Sequence, residues 1–214
     1  MFSGNRKTAL DWLELKPPST DDVIVDVAWS GISTGTERML WSGEMPPFPG
    51  MGYPLVPGYE SVGRIVYAAD QPELEGQMAF IPGASCYESA SGLFGASASR
   101  LVVPASRITL LGDEAGPQHT LLALAATAHH AIARGKAPDL VIGNGVLGRL
   151  VARITEAVTG QKPTVWETDP IRRRGTDAID PSAETRFDYR APCDVSGSIK
   201  AIDEAITHCA KGAH

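Results

Sequence analysis

The chain has 214 residues, of which 43% are hydrophobic and 21% charged, and it carries a formal net charge of −6. That length suits one large domain or two small ones, and the composition is that of a folded globular chain rather than a disordered one. The negative balance excludes a general nucleic-acid binder, which must meet phosphates with cations.

The one local basic run is Arg172, Arg173 and Arg174. Cys86, Cys193 and Cys209 are odd in number, far apart and without CxxC spacing, so neither a disulfide framework nor a structural zinc site is expected. The first residues, MFSGNRKTALDWLEL, carry charges throughout and lack the apolar core of a secretory signal. No apolar run is long enough to span a bilayer. A cytoplasmic protein with no nucleic-acid partner and no membrane span is the expectation.

In chain order, the first half reads as short strands punctuated by Gly and Pro. Residues 22–32, 60–69, 76–83 and 99–111 are rich in β-branched side chains and read as strands. Residues 41–60, WSGEMPPFPGMGYPLVPGYE, are too dense in Pro and Gly for a long helix or a central strand. They read as a structured loop bearing Trp41, Phe48 and Tyr53. The texture changes after residue 115. A helix is expected over 120–135, with Thr120 able to cap it and Gly135 able to stop it. Residues 139–160 follow as strand, glycine turn and helix, with Val146, Leu147, Leu150, Val151, Ile154 and Val158 on one face. Then come a strand at 163–168 and a short helix at 169–175, capped by Asp169 with Pro170 in its first turn. A strand within 191–198 and a last helix over 199–212 close the chain, and a strand between 176 and 190 is doubtful.

The stretch LVIGNGVLGRL, residues 140–150, has the spacing Gly143-x-Gly145-x-x-Gly148 between a strand and a helix. Gly143 permits the tight turn, Gly145 lets backbone approach a pyrophosphate at the helix N-terminus, and Gly148 lets helix and strand pack closely. Glu167 follows Gly148 by 19 residues at the end of the next strand. A carboxylate there accepts hydrogen bonds from ribose hydroxyls and repels a 2′-phosphate, which favours NAD over NADP; the nearby arginines weaken that preference.

The order of modules and four segments resemble the medium-chain dehydrogenase/reductase superfamily. GISTGTE (31–37) is similar to its first catalytic-loop segment, PLVPGYESVGRIV (54–66) to its GHE segment, ALAATAHHAI (123–132) to its interdomain helix, and the glycine turn to its cofactor motif. The resemblance implies a GroES-like β-rich catalytic domain over 1–115 and an incomplete, partial Rossmann-type NAD-binding domain over 116–214. Within that superfamily, the segments 29–66, 121–131 and 138–150 are similar to the bacteriochlorophyllide a dehydrogenases. Those enzymes use NAD to oxidise the 3-(1-hydroxyethyl) group of a chlorophyllide or bacteriochlorophyllide to 3-acetyl in bacteriochlorophyll biosynthesis. The resemblance thus implies a tetrapyrrole substrate.

The chain departs from the superfamily's zinc pattern. The ligand positions fall on Ser33 or Thr34, on Tyr59, and on Ala123. Neutral hydroxyls are poor zinc ligands and Ala is none, so no metal is expected. The alcohol proton must then pass to side chains. Candidates are Tyr59 in the ligand's place, Glu60 beside it, Thr36 at the superfamily's relay position, Ser33, and His130. Trp41, Phe48, Tyr53 and His129 are candidate substrate contacts. Gly143, Gly145, Val146, Leu147, Gly148, Glu167 and, on the interdomain helix, Thr127 are candidate cofactor contacts. His119 and His208 read as surface residues. Three other readings stay open. Tyr59, Glu60, Thr36 and the histidines can each be plain packing residues. The chain can be a zinc-free quinone or enone reductase of the same superfamily. It can also be a non-catalytic tetrapyrrole-binding protein.

Relatives of this fold continue well past the position of His214. The chain is therefore expected to be C-terminally truncated, with impaired cofactor binding and turnover. Apolar surface left uncovered in an incomplete module leads to one of two expectations, pairing of chains as in a homodimer or local disorder.

Overall fold

The computed structural model of the chain describes all residues except Phe48, Asp113 and His214, so the expectation for Phe48 lies outside the described residues. The chain folds as two compact units, Met1–Ala123 and Leu124–His214, dividing later than the 115/116 boundary read from the sequence.

In the first unit, β1 (Phe2–Gly4) and β2 (Lys7–Thr8) form a small hairpin. The main sheet has five antiparallel strands: β3 (Asp22–Ser30), β4 (Ser61–Ala68), β5 (Met78–Ile81), β6 (Arg100–Pro104) and β7 (Thr109–Leu111), in the order β6-β3-β4-β5-β7. Alternate side chains of β3 turn inward, so Val23 and Val25 join Ile65, Ile81, Leu101 and Val103 in one apolar core. The single strand expected over 99–111 is two strands. Pro104, with no N–H to donate, ends β6, and a 3-10 turn at Ala105–Arg107 separates it from β7.

Residues 36–42 are a helix, α1 (Thr36–Ser42), which was not expected and whose last two residues overlap the loop expected over 41–60. Gly43 closes it in the left-handed conformation, φ 74°, which glycine adopts without steric cost. Seven residues are too few to show a helical period.

In the second unit, β8 (Leu140–Ile142) lies between β10 (Pro192–Asp194) and β9 (Thr164–Trp166) in a three-stranded parallel sheet. The two faces of β8 feed two cores. Val141 meets Ala128 of α2 (Leu122–Arg134) and Val151 of α3 (Val146–Thr159). Leu140 and Ile142 meet Trp166, Tyr189 and Ala205 on the other side. The expected helix over 120–135 begins as a 3-10 turn, Pro117–Leu121, and Thr120 does not cap α2: its hydroxyl donates to the Pro117 carbonyl at 2.7 Å. Leu147, Leu150 and Ile154 pack as expected, but Val146 and Val158 are 55% and 58% exposed. A 14-residue helix, at about 1.5 Å per residue, outruns three-residue strands, so its two ends lack a partner.

The short helix α4 (Pro170–Arg173) is capped by Asp169, whose carboxylate accepts from Ile171 N at 2.8 Å. Segment 176–190 forms no full strand: Ile179 makes a single parallel bridge to Trp166, with Ile179 N donating to the Val165 carbonyl and Glu167 N to the Ile179 carbonyl, both at 2.9 Å, and side chains hold the segment further. Glu184 accepts from Trp166 Nε1 at 2.9 Å and from the Tyr189 hydroxyl. Burial opposes its charge, but those donors and the backbone amides of Arg186 and Thr185 outweigh burial and hold its carboxyl down to about 2. The last helix, α5 (Ile199–Thr207), is shorter than expected because the chain turns inward at His208. His208 is not a surface residue: it is buried, stacked on Phe187 and edge-on to Trp166, with Nδ1 2.8 Å from the Arg186 carbonyl.

Candidate functional site

Each unit holds one group of the candidate residues. In the second unit, the turn from β8 into α3 carries the three glycines. Gly143 has φ 106°, open to glycine and strained for other residues. Gly148 is forced by packing, because a Cβ there would lie 1.9 Å from the Gly143 carbonyl oxygen. Gly145 is different. It caps α3 with φ −73°, which any residue adopts, and a Cβ there would meet nothing within 4 Å. The chain's own packing does not require glycine at 145. The space its missing side chain leaves opens on a cavity of about 460 Å³ lined by Gly143, Gly145, Glu167, Arg172, Ser196 and Lys200 among others. No side chain caps the first turn of α3, so its amides keep the positive end of the helix dipole for an incoming anion.

Glu167 sits at the mouth of β9, only 7% exposed. One carboxylate oxygen accepts from Asn144 N at 2.9 Å and the other from Asp169 N at 3.0 Å, which fixes the carboxylate on the cavity wall. Arg172 stands 3.9 Å from it. Asn144 is buried in the turn, with its amide bonded to the Arg172 carbonyl at 2.7 Å and to Thr176 Oγ1 at 3.1 Å, tying the turn to α4. Val146 is exposed and Leu147 packs into the helix–sheet core; neither lines the cavity.

In the first unit, three hydroxyls converge. Tyr59 Oη donates to Ser33 Oγ and lies 3.4 Å from Thr36 Oγ1, and its ring meets Phe94 edge-on at 5.0 Å. All three residues are half-buried. Beside them lie two buried carboxyls. Glu60 is 3% exposed, packs over Gly31, and leaves Oε1 with no hydrogen-bond partner. Burial, and then the charge of Glu37, push its carboxyl above the ordinary glutamate value of 4.5. Glu37, in the first turn of α1, is 8% exposed, and burial pushes it up likewise against the hydrogen bond from Ser33. Sequence reading passed over Glu37. Its only signal was an acidic residue at the end of GISTGTE, and a surface position explains such a residue equally well.

A carboxyl raised in this way binds its proton more tightly in the native state than in the unfolded chain. Its stability contribution is complete below the ordinary glutamate value and is lost as pH rises through the raised one. Replacing Glu60 with Gln is therefore expected to raise the Tm at about pH 8 relative to wild type, by removing a cost of about 1–3 kcal/mol for a buried unpaired charge. Near pH 4 the two Tm values should converge. Thermal unfolding at both pH values checks this, and a Gln variant that loses stability equally at both contradicts it.

The remaining candidates are more dispersed. Trp41 and Tyr53 are 36% and 39% exposed, and the Tyr53 hydroxyl donates to the Leu40 carbonyl, tying the loop to α1. Thr127, His129 and His130 are exposed on α2. Among the described residues, no group of three or more His, Cys, Asp or Glu side chains is placed to hold a metal ion, and no helix is long and apolar enough to cross a membrane.

No family model matches the chain. It is 49% identical, over 99% of its length and 70% of the relative's, to the 2-desacetyl-2-hydroxyethyl bacteriochlorophyllide A dehydrogenase of Rhodobacter capsulatus. The chain belongs to this dehydrogenase family. The protein of the same name from Cereibacter sphaeroides is 47% identical over the same shares of the two chains. Among solved structures, a short chain alcohol dehydrogenase from E. coli, complexed with NADH, superposes with a TM-score of 0.78 at 18% identity, covering 99% of this chain and 73% of that one. That likeness shows the fold: a GroES-like β-module followed by a Rossmann-type α/β-module. Like its family, the chain is an oxidoreductase of the alcohol dehydrogenase type, and it spans 70% of the length of the two curated relatives.

Proposed function

We propose that the chain oxidises the 3-(1-hydroxyethyl) group of a chlorin or bacteriochlorin to 3-acetyl, with NAD as the acceptor, without zinc, and with a turnover impaired relative to the longer relatives it matches. The observation that carries the substrate is the 49% and 47% identity, over 99% of this chain and 70% of each relative, with two relatives of that name. A bound NAD supplies the hydride acceptor. The chain's contribution to holding it is the turn at 143–148: amides and helix dipole for the pyrophosphate, open space over Gly145, and the fixed Glu167 carboxylate for the ribose hydroxyls. The lone pairs of Glu167 not taken by backbone remain for those hydroxyls, and its charge repels a 2′-phosphate. Glu167→Gln is expected to move the NADP/NAD affinity ratio towards NADP by about tenfold, or about 1.4 kcal/mol. Calorimetric titration with both cofactors measures it, and an unchanged ratio removes Glu167 from the discrimination.

In the first unit, the Tyr59 hydroxyl holds the substrate oxygen. As it takes the alcohol proton it passes its own to Ser33 Oγ, with Thr36 alongside and solvent as the final acceptor. Trp41 and Tyr53 offer half-exposed aromatic faces to the flat ring. Catalytic zinc takes thiolate, imidazole or carboxylate ligands. Hydroxyls at 33, 34 and 59 and a methyl at 123 do not fit it. We place the protein in the cytoplasm as a homodimer; Ile199, Ile202 and Ile206, all exposed on α5, supply apolar surface for pairing. NADH formation from a 3-hydroxyethyl chlorin, together with the metal content of the purified chain, tests the reading. Stoichiometric zinc that resists chelation, or no NADH, would overturn it.

A further inference from the structure

The hydroxyl cluster needs Ser33 held in place, and Ser33 lies in a short loop before α1. The next two residues, Thr34 and Gly35, are exposed. A Cβ at Gly35 would meet nothing within 4 Å. Packing therefore does little to fix this loop. Two hydrogen bonds do: Ser33 N donates to Glu37 Oε1 at 3.3 Å, and Glu37 N donates to the Ser33 carbonyl at 2.9 Å. We infer that Glu37 is a positioning residue, whose carboxyl and amide clamp the Ser33 backbone from both sides and so fix the Ser33 hydroxyl where Tyr59 donates to it.

The alternative is that Glu37 merely fills space between α1 and the sheet. A methionine would fill it without removing a carboxyl from water, so what the carboxyl adds is its acceptor. Tyr59 is held independently through its edge contact with Phe94, and Thr36 through the helix backbone. Of the three hydroxyls, only Ser33 depends on the clamp. Burial pushes the Glu37 carboxyl upward, and a neutral carboxyl still accepts through one oxygen. The clamp therefore needs an acceptor at that place rather than a charge.

The inference rests on the dehydrogenase reading only for its catalytic readout. The test uses the whole chain labelled with 3-fluorotyrosine, the Tyr59 resonance being assigned by its loss in Tyr59→Phe, and compares Glu37→Gln with Glu37→Met. Gln keeps an acceptor, so the Tyr59 fluorine shift and a kcat within about threefold of wild type should be retained. Met removes it, so the resonance should move towards that of a free phenol and kcat should fall at least about tenfold, with KM for NAD unchanged. A folded Met variant with the wild-type resonance and kcat overturns the inference, as does a Gln variant that loses as much as Met. If the Met variant does not fold, Glu37→Asp, whose carboxylate falls a methylene short of the Ser33 amide, must shift the resonance, and an unmoved resonance overturns the inference. Wild-type protein without turnover would count against the dehydrogenase reading, while the resonance still decides the clamp.

Discussion

Valine in place of Gly145 is expected to lower NAD affinity at least about a hundredfold, or about 2.8 kcal/mol, while the chain stays folded. Valine in place of Gly148 is expected to damage the fold itself. The contrast follows from what each new side chain would meet. At 145 the backbone is ordinary, and the chain places nothing within 4 Å, so the methyls enter only the space proposed for the pyrophosphate. The folding cost is then that of a poorer helix cap, about 1 kcal/mol or less. At 148 a Cβ lies 1.9 Å from a backbone oxygen and 3.2 Å from Val195 Cγ2, so α3 and β8 must separate. Overpacking of that kind costs about 1–3 kcal/mol and more where backbone must move. Calorimetric NAD titration and thermal unfolding of both variants read the difference. A Gly145 variant that binds NAD like wild type would mean that the cavity is not the cofactor's.

The second large effect is expected at Tyr59. Phenylalanine there preserves the edge contact with Phe94 and removes the oxygen that reaches Ser33 and Thr36. Removing a proton-transfer group costs about 10²–10⁴ in rate, so kcat should fall at least about a hundredfold. NAD affinity should not change, because the cofactor residues belong to the other unit. Steady-state kinetics with titration of NAD separates the two quantities. An undiminished kcat in Tyr59→Phe would return Tyr59 to a packing role.

The fold was legible where local chemistry and packing agree. The alternating β-branched residues of β3 and β4 and the strand–glycine–helix run at 139–160 are strong local signals, and they formed as read. The helix α1 was not legible, because seven residues between two glycines carry too little periodicity. His208 was misread for a different reason. Its burial comes from Phe187 and Trp166, residues distant in sequence that only tertiary contact brings to it. The site shows the same division. Glycine spacing displayed the turn, but the reason for each glycine, crowding at 148 and vacancy at 145, exists only in three dimensions. Tyr59 stood out because a known motif has another residue there. Glu37 did not, because an acidic residue at the end of GISTGTE is unremarkable until its burial and its two bonds to Ser33 are seen.

The chemistry proposed for the first unit is alcohol oxidation by a hydroxyl cluster without a metal. The most direct measurement is NADH formation from a 3-hydroxyethyl chlorin after exhaustive chelation of the purified chain. NADH and 3-acetyl product are expected in equal amounts, unaffected by chelation or by added zinc. No NADH, or NADH only after zinc is restored, would contradict it.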